Sequence, residues 1–291
     1  MRFRASVAHV QTFSRIIQAI EKLQKRCLIK FTEEYMQIIC NADPGEVQVW
    51  SKIRVEALFD DYRIQSNANN EITVVLSSEA VLAALRSASE AEETVIKLAK
   101  KNDHALLSFE ILRQTRSAQS VRVTHDVKIE VMKPTDVEKM KEPLCPKADV
   151  YAPSFSFLLI LLPPLQKLRT IVERLNHMSD VMAFQANNNK RLKVAIRTES
   201  VNIETEWTNC QHPTVADEDP EEERPDPDKI FTVLISTKSF LKFLNSHVVS
   251  TTTIAAVCQH HCVILYVYIG DVADAGGVLT YYIPAIIDDE D

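Results

Sequence analysis

The sequence has little glycine, little tryptophan and no cysteine arrangement that suggests a staple. Four glycines occur in 291 residues, none in a phosphate-cradling spacing, which excludes a nucleotide site built on a glycine-rich loop. Asp43-Pro44-Gly45 reads as a turn. The six cysteines, Cys27, Cys40, Cys145, Cys210, Cys258 and Cys262, show no paired spacing, and no secretory leader is read at the start. A reducing compartment is therefore expected, without disulfides. Long apolar runs are missing as well: the longest, Phe155 to Leu162, is far short of the roughly 20 residues of a membrane helix, so no membrane partner is expected. Cationic charge is in deficit, with 33 Lys and Arg against 40 Asp and Glu and a net charge of -7. Wrapping of nucleic acid over the whole surface is thereby excluded, while a local basic stripe is not.

A hydrophobic fraction of 46% with 25% charged residues suffices for a large core, and the length suggests two ordinary domains. The most informative feature is an internal duplication. Ile72-Thr-Val-Val-Leu-Ser-Ser-Glu-Ala-Val-Leu-Ala-Ala-Leu85 reads against Phe231-Thr-Val-Leu-Ile-Ser-Thr-Lys-Ser-Phe-Leu-Lys-Phe-Leu244 without a gap. Each copy is a β-favouring run, then small hydroxyl residues able to cap a helix, then apolar positions at helical spacing. At the same offset Thr94 to Ala99 lies against Thr253 to Cys258, and Leu106 to Leu112 against Leu265 to Asp271, as following strands. An earlier helix pair matches Phe13, Ile16, Ile20 and Leu23 with Leu165, Leu168, Val172 and Leu175, at an offset seven residues smaller, and the next strands pair Ile29 with Val181. Pro163-Pro164 opens the second helix of that pair, where a missing amide hydrogen costs nothing.

Each half therefore reads as strand, helix, strands, helix, strands, an α+β architecture rich in short antiparallel sheet. The expected division is a first domain over 1–133, a connector over 134–148 and a second domain over 149–291. Asp217 to Asp228, where acids alternate with proline, is expected to be a solvated acidic loop.

Positive charge gathers on the helices. Arg15, Gln18, Lys22 and Lys25 share a face opposite the apolar stripe, and Lys167, Thr170, Arg174 and His177 repeat the spacing. Lys238, Lys242 and Asn245 form a similar stripe, whereas Glu79, Ala83 and Arg86 form a less basic one. A single such stripe is ordinary solvated surface. Repetition on three of four related helices in an acidic chain points to a phosphate-facing surface made of Arg15, Lys22, Lys25, Arg86, Lys167, Arg174, Lys238 and Lys242. It has no aromatic residue to stack on bases and nothing to read base edges, so sequence-neutral binding to duplex DNA is expected.

Two constellations resemble chemistry and are read as structure. Thr124-His125-Asp126 has the residue types of a triad, but neighbours on a strand point to opposite faces and cannot form a relay. A hydrolase using His125 and Asp126 is the rival from another class. Cys258-Gln-His-His-Cys262 fits no common zinc spacing and reads as the turn of a hairpin. No enzyme activity, metal or cofactor is expected.

Met1-Arg-Phe-Arg-Ala5, the helix to Arg26, Glu71-Ile72, Val123-Thr-His-Asp-Val127 and Tyr281-Tyr-Ile-Pro-Ala-Ile286 resemble the hydroxyurea-sensitive subunit family of the checkpoint sliding clamp nicknamed nine-one-one. The resemblance spans nearly the whole chain. It implies the fold of proliferating cell nuclear antigen, in a heterotrimeric ring with helices lining the hole. It also implies two related clamp subunits as partners, an ATP-dependent clamp loader, a checkpoint kinase, repair factors and residence in the nucleus. By this likeness the subunit edges would be the strand containing Arg122, Val123, Thr124, His125, Asp126 and Val127 and that containing Arg191, Leu192, Lys193, Val194, Ala195 and Ile196. Lys133 to Lys147 would be the connector, near which clients dock in an apolar pocket. A homotrimeric replication processivity clamp is the alternative. One departure stands out: Ala152 to Leu159 has no counterpart in the family pattern, and reads as an unspliced intron or as an apolar segment that would loop out.

Overall fold

The computed structural model describes residues 1–41, 45–114, 119–144, 157–213, 226–250, 252–270 and 272–287. The elements in chain order are β1 Arg2–Val7, α1 Val10–Glu21, β2 Arg26–Phe31, β3 Tyr35–Cys40, β4 Gln48–Arg54, β5 Phe59–Gln65, β6 Ile72–Ser77, α2 Ser78–Ser87, β7 Glu93–Lys101, β8 His104–Gln114, β9 Ser120–Val131 and the short α3 Pro134–Val137. They continue with β10 Phe157–Leu161, α4 Leu165–Asn176, β11 Val181–Asn187, β12 Arg191–Arg197, β13 Asn202–Trp207, β14 Ile230–Ser236, α5 Thr237–Phe243, β15 Thr253–Cys258, β16 Cys262–Ile269 and β17 Gly277–Pro284. Two compact units result. Met1–Asn41, Val49–Glu142 and Ile269–Leu279 form the first, and Ala42–Gln48, Pro143–Tyr268 and Thr280–Asp291 the second.

Strand order carries the duplication. β1-β7-β8-β9 recurs as β10-β15-β16-β17, and β4-β3-β2-β6 recurs as β13-β12-β11-β14. The strands pair antiparallel, as short hairpin-linked strands require. In both copies a serine ends the strand and caps the helix: the Ser77 hydroxyl accepts from the Ala80 amide at 3.3 Å, and that of Ser236 from the Ser239 amide at 3.2 Å. Two orphan helix donors are thus satisfied in the same way.

The helices bury their apolar stripes on the inner sheet faces. In the first unit Phe13, Ile16 and Ile20 of α1 are buried with Val81, Leu82 and Leu85 of α2, and the two helices pack on each other. In the second, Leu165, Leu168, Val172 and Leu175 of α4 are buried and α4 packs on α5. Phe184, Phe240, Phe243 and Tyr281 form an aromatic chain there, with ring centroids 5.4, 5.5 and 5.1 Å apart, spacings at which edge-on and tilted pairs attract.

The register of the duplication differs from the sequence reading in two places. Arg26 lies opposite Ser77 and Val181 opposite Ser236. The first strand thus repeats at an offset of 155 and the capping serine at 159, a difference of four residues rather than seven. The counterpart of Ile29 is therefore Phe184, not Val181: Ile29 faces Val74 and Phe184 faces Val233. Both helices keep this register, since α1 starts at Val10 and α4 at Leu165. A slip of three residues is nearly one helical turn, so both registers superpose the apolar stripes, and only strand pairing separates them. The later hairpin differs too: Ala99 faces Leu106 across β7 and β8, but Cys258 faces Cys262 rather than Leu265 across β15 and β16.

Phe157, Leu158 and Leu159, expected to loop out, are part of β10. They face Cys258, Val257 and Ala256 of β15, and Leu158 is buried. Their alternating β-favouring side chains find a strand partner, which a loop would not provide. The rest of the anomalous segment lies outside the described residues, as does most of the expected acidic loop.

Candidate nucleic-acid interface

The helix caps and buried stripes fix which side chains face outward. Arg15, Lys22, Lys25, Arg86, Lys167, Arg174 and Lys238 are exposed and Lys242 is half-buried. Lys22 meets Glu21 at 3.0 Å and Lys242 meets Glu46 at 3.6 Å. The other six have no ion-pair partner among the described residues. Surface pairs of the first kind are weak, at about 0–1 kcal/mol, and yield easily to a phosphate. Along α1, Arg15 and Lys22 stand about 10 Å apart by helical rise, a span over which duplex DNA offers several charges, one per about 1.7 Å of axis.

The structural register alters how this surface repeats. Lys167 corresponds to Thr12 and Arg174 to Ala19, while Arg15 corresponds to Thr170. The two helices are thus both basic outside but not position by position. Arg169, which the sequence reading did not single out, lies on α4 and is held by Glu173 at 2.8 Å. Its i, i+4 spacing was the available signal.

Of the two expected subunit edges, one lies open and one does not. β9 pairs with β8 from Ser120 to Lys128, and on its other side meets β6 only at Ile129, Glu130 and Val131. Arg122 to Val127 therefore present an unpaired side among the described residues. β12, with Arg191, Leu192, Lys193, Val194, Ala195 and Ile196, is not an edge. Leu192 faces Ala186 of β11 on one side and Trp207 of β13 on the other, and the ladder is filled along both. β13, Asn202–Trp207, is the end strand of that sheet beyond β12, with β14 at the other end. Its alternation of Asn202, Glu204 and Glu206 with Ile203, Thr205 and Trp207 was readable as a strand, but nothing local says which strand of a sheet comes last. Glu204 and Glu206 pair with Lys193 at 3.2 Å and Arg191 at 3.6 Å.

Near the start of the expected connector, α3 overhangs a cleft of about 660 Å³ lined in part by Ile39, Trp50, Ile72, Val131, Val137 and Met140, all in the first unit. Its apolar floor combines buried Ile39 and Ile72 with exposed Val131.

His125 and Asp126 are on opposite faces of β9. Asp126 accepts from the Ser108 hydroxyl at 2.8 Å and lies 3.7 Å from Lys101, while His125 faces Phe109. The types of a relay are present, but the carboxylate holds Ser108 and Lys101. The Cys258 to Cys262 segment is the closing turn of the β15–β16 hairpin, with His260 in the left-handed region at φ 57°.

The duplicated units of helices on antiparallel sheet have the sliding-clamp fold, and a solved example shares it. Proliferating cell nuclear antigen from Entamoeba histolytica superposes with a TM-score of 0.70, covering 98% of this chain and 99% of that one at 11% identity. At that identity the likeness is one of fold. The chain belongs to the Hus1-like protein family, whose pattern matches residues 1–287. It is 30% identical to Checkpoint protein hus1 of Schizosaccharomyces pombe, over 99% of this chain and all of that one, and 30% identical to Checkpoint protein HUS1 of Homo sapiens, over 98% and 100%. A homolog from Dictyostelium discoideum is 24% identical over 99% of each. Full-length sequence likeness thus runs to checkpoint proteins, and the homotrimeric replication clamp is not favoured. No helix of the described residues is long and apolar enough to cross a membrane.

Proposed function

We propose that this chain is one subunit of a heterotrimeric, ring-shaped sliding clamp that encircles DNA at damage sites in the nucleus and serves as a platform for checkpoint and repair factors. The observation that carries the reading is the pair of open strands, β9 and β13, on a duplicated clamp fold whose helices are cationic outside.

Duplication makes β9 the counterpart of β17 and β13 the counterpart of β4. Inside the first unit the Arg54 amide of β4 donates to the Gly276 carbonyl, just before β17, at 2.8 Å. The same kind of pairing, between β9 of one subunit and β13 of the next, continues the sheet from chain to chain. Unpaired edges are association templates, and a lone subunit leaves both of these open. The two edges differ in sequence, which suits head-to-tail pairing with related but different chains.

Helices inside such a ring face the duplex, and Arg15, Lys22, Lys25, Arg86, Lys167, Arg174, Lys238 and Lys242 act as point charges without reading sequence. An ATP-driven loader opens and closes the ring, a checkpoint kinase is signalled from its outside, and the cleft beneath α3 receives apolar client segments. No chemical step is assigned to the chain itself. Loading the assembled complex on a nicked circular plasmid tests the topology: the complex is expected to stay until the plasmid is linearised and then to slide off. Equal retention on circular and linear DNA would show binding without encirclement.

A further inference from the structure

Cys258 and Cys262 stand directly opposite each other as the last paired residues of the β15–β16 hairpin. Opposed residues of an antiparallel pair hold their Cα atoms about 4.5 or 5.5 Å apart, both inside the roughly 4.4–6.8 Å that a disulfide accepts. Cys262 also packs against the buried cluster that contains Cys258. The Cys258 thiol hydrogen-bonds the Cys262 sulfur, which holds the Cys262 thiol below its ordinary value against the opposing effect of burial. Cys258 is buried with Ala256 and Ile264, whereas Cys262 is only partly buried at the border of that cluster, as are Leu159, Tyr266 and Tyr282.

The pair is thus asymmetric, with one cysteine partly exposed and the other buried. The hairpin tip between them is anchored: the His260 amide donates to the Thr232 carbonyl at 3.2 Å, and the Ala285 amide to the His261 carbonyl at 2.8 Å. Cys27 and Cys40 offer a contrast within the same chain, since both are buried and burial raises both thiols. Buried neutral thiols of that kind are inert, and a solvent-reachable sulfur beside a donor is the reactive kind.

We propose that Cys258 and Cys262 are a peroxide-responsive dithiol, with Cys262 as the attacking sulfur and Cys258 as the resolving one. The Cys262 thiolate attacks one oxygen of hydrogen peroxide, the O–O bond breaks, and a sulfenic acid forms with release of hydroxide. Cys258 then gives up its proton to that hydroxide and attacks the Cys262 sulfur, expelling the second oxygen as hydroxide, which takes the proton from the first deprotonation. Two thiols and one peroxide become one disulfide and two waters. Small thiols reverse the reaction by exchange, which suits a reducing compartment where such bonds are transient. The bridge closes the tip that holds Thr232 and Ala285, and so stiffens the stretch leading to the C-terminal acids.

Trypsin releases Phe243–Asp291 as one fragment that contains Cys258 and Cys262 and no other cysteine, so mass spectrometry of the full chain reads the reaction directly. After mild hydrogen peroxide the fragment is expected to lose two hydrogens and to regain them with dithiothreitol, while Cys27 and Cys40 stay reduced. In Cys258→Ala the bond cannot form, and a dimedone adduct on Cys262 is expected instead. Iodoacetamide labelling of Cys262 should also slow several-fold in that variant, circular dichroism showing that its fold is kept. In Cys262→Ser the fragment is expected to resist peroxide. A wild-type fragment that stays reduced, or that only gains oxygen on Cys262 without losing hydrogens, overturns the proposal.

Discussion

At Gly277 a Cβ would stand 2.7 Å from the Ile53 Cα and 2.7 Å from the Lys52 carbonyl oxygen, so the backbone there leaves no room for a side chain. Gly277→Ala is expected to cost about 1–3 kcal/mol, as overpacking against backbone does, read as an earlier midpoint in urea. Nothing in the sequence marks this glycine, because the need for it arises from strands distant in the chain. The caps are the opposite case. Ser77 and Ser236 were visible as hydroxyls between a β-run and a helical stripe, and each accepts the expected amide. Ser77→Ala and Ser236→Ala should each cost about 1 kcal/mol, and Phe184→Ala, at 0% exposure, about 3–5 kcal/mol. Cys27 supplies a pH signature. Burial pushes its thiol up from 9.0 to about 12, so the folded state keeps a proton that the unfolded chain loses first. Its contribution is complete below pH 9.0 and lost as pH rises toward about 12, so urea midpoints should fall across that window and fall less in Cys27→Ala.

Among the elements, strand–helix pairs were legible from side-chain periodicity, while their register and neighbours were not. The capped β6–α2 and β14–α5 copies align without a gap because strand and helix periods change at the same hydroxyl. The α1–α4 match slipped by three residues because a helical stripe nearly repeats at that step, and only the opposition of Arg26 to Ser77 and of Val181 to Ser236 corrects it. Edge position was illegible for a like reason: β12 and β13 both alternate, and sheet order is a tertiary fact. Hydrogen exchange separates them. Half of the β13 amides should exchange fast in the lone chain and become protected on assembly, whereas β12 amides should be protected in both. The helix faces predict a binding effect. Reversing Arg15, Lys22 and Lys25 together is expected to lower DNA retention of the assembled complex and to flatten its salt dependence by about 0.9 for each phosphate no longer neutralised, with single reversals changing little. An unchanged slope in the triple reversal would remove these residues from the DNA-facing set.

For the whole molecule, a net charge of -7 over all 291 residues and local cationic helix faces are compatible, because a net charge does not fix where the cations sit. The two-copy architecture was readable from the chain because duplication leaves pattern even where identity is low. Fold likewise outlasts sequence between chains, with a TM-score of 0.70 at 11% identity to proliferating cell nuclear antigen from Entamoeba histolytica. What duplication cannot encode is which chain occupies the next place in the ring. Light scattering on this chain alone, and after co-expression with two related clamp subunits, measures that directly. The account predicts a one-to-one-to-one heterotrimer and a lone chain that associates poorly or irregularly. A lone chain that forms a stable homotrimer, or that stays monomeric and ignores both partners, would contradict it.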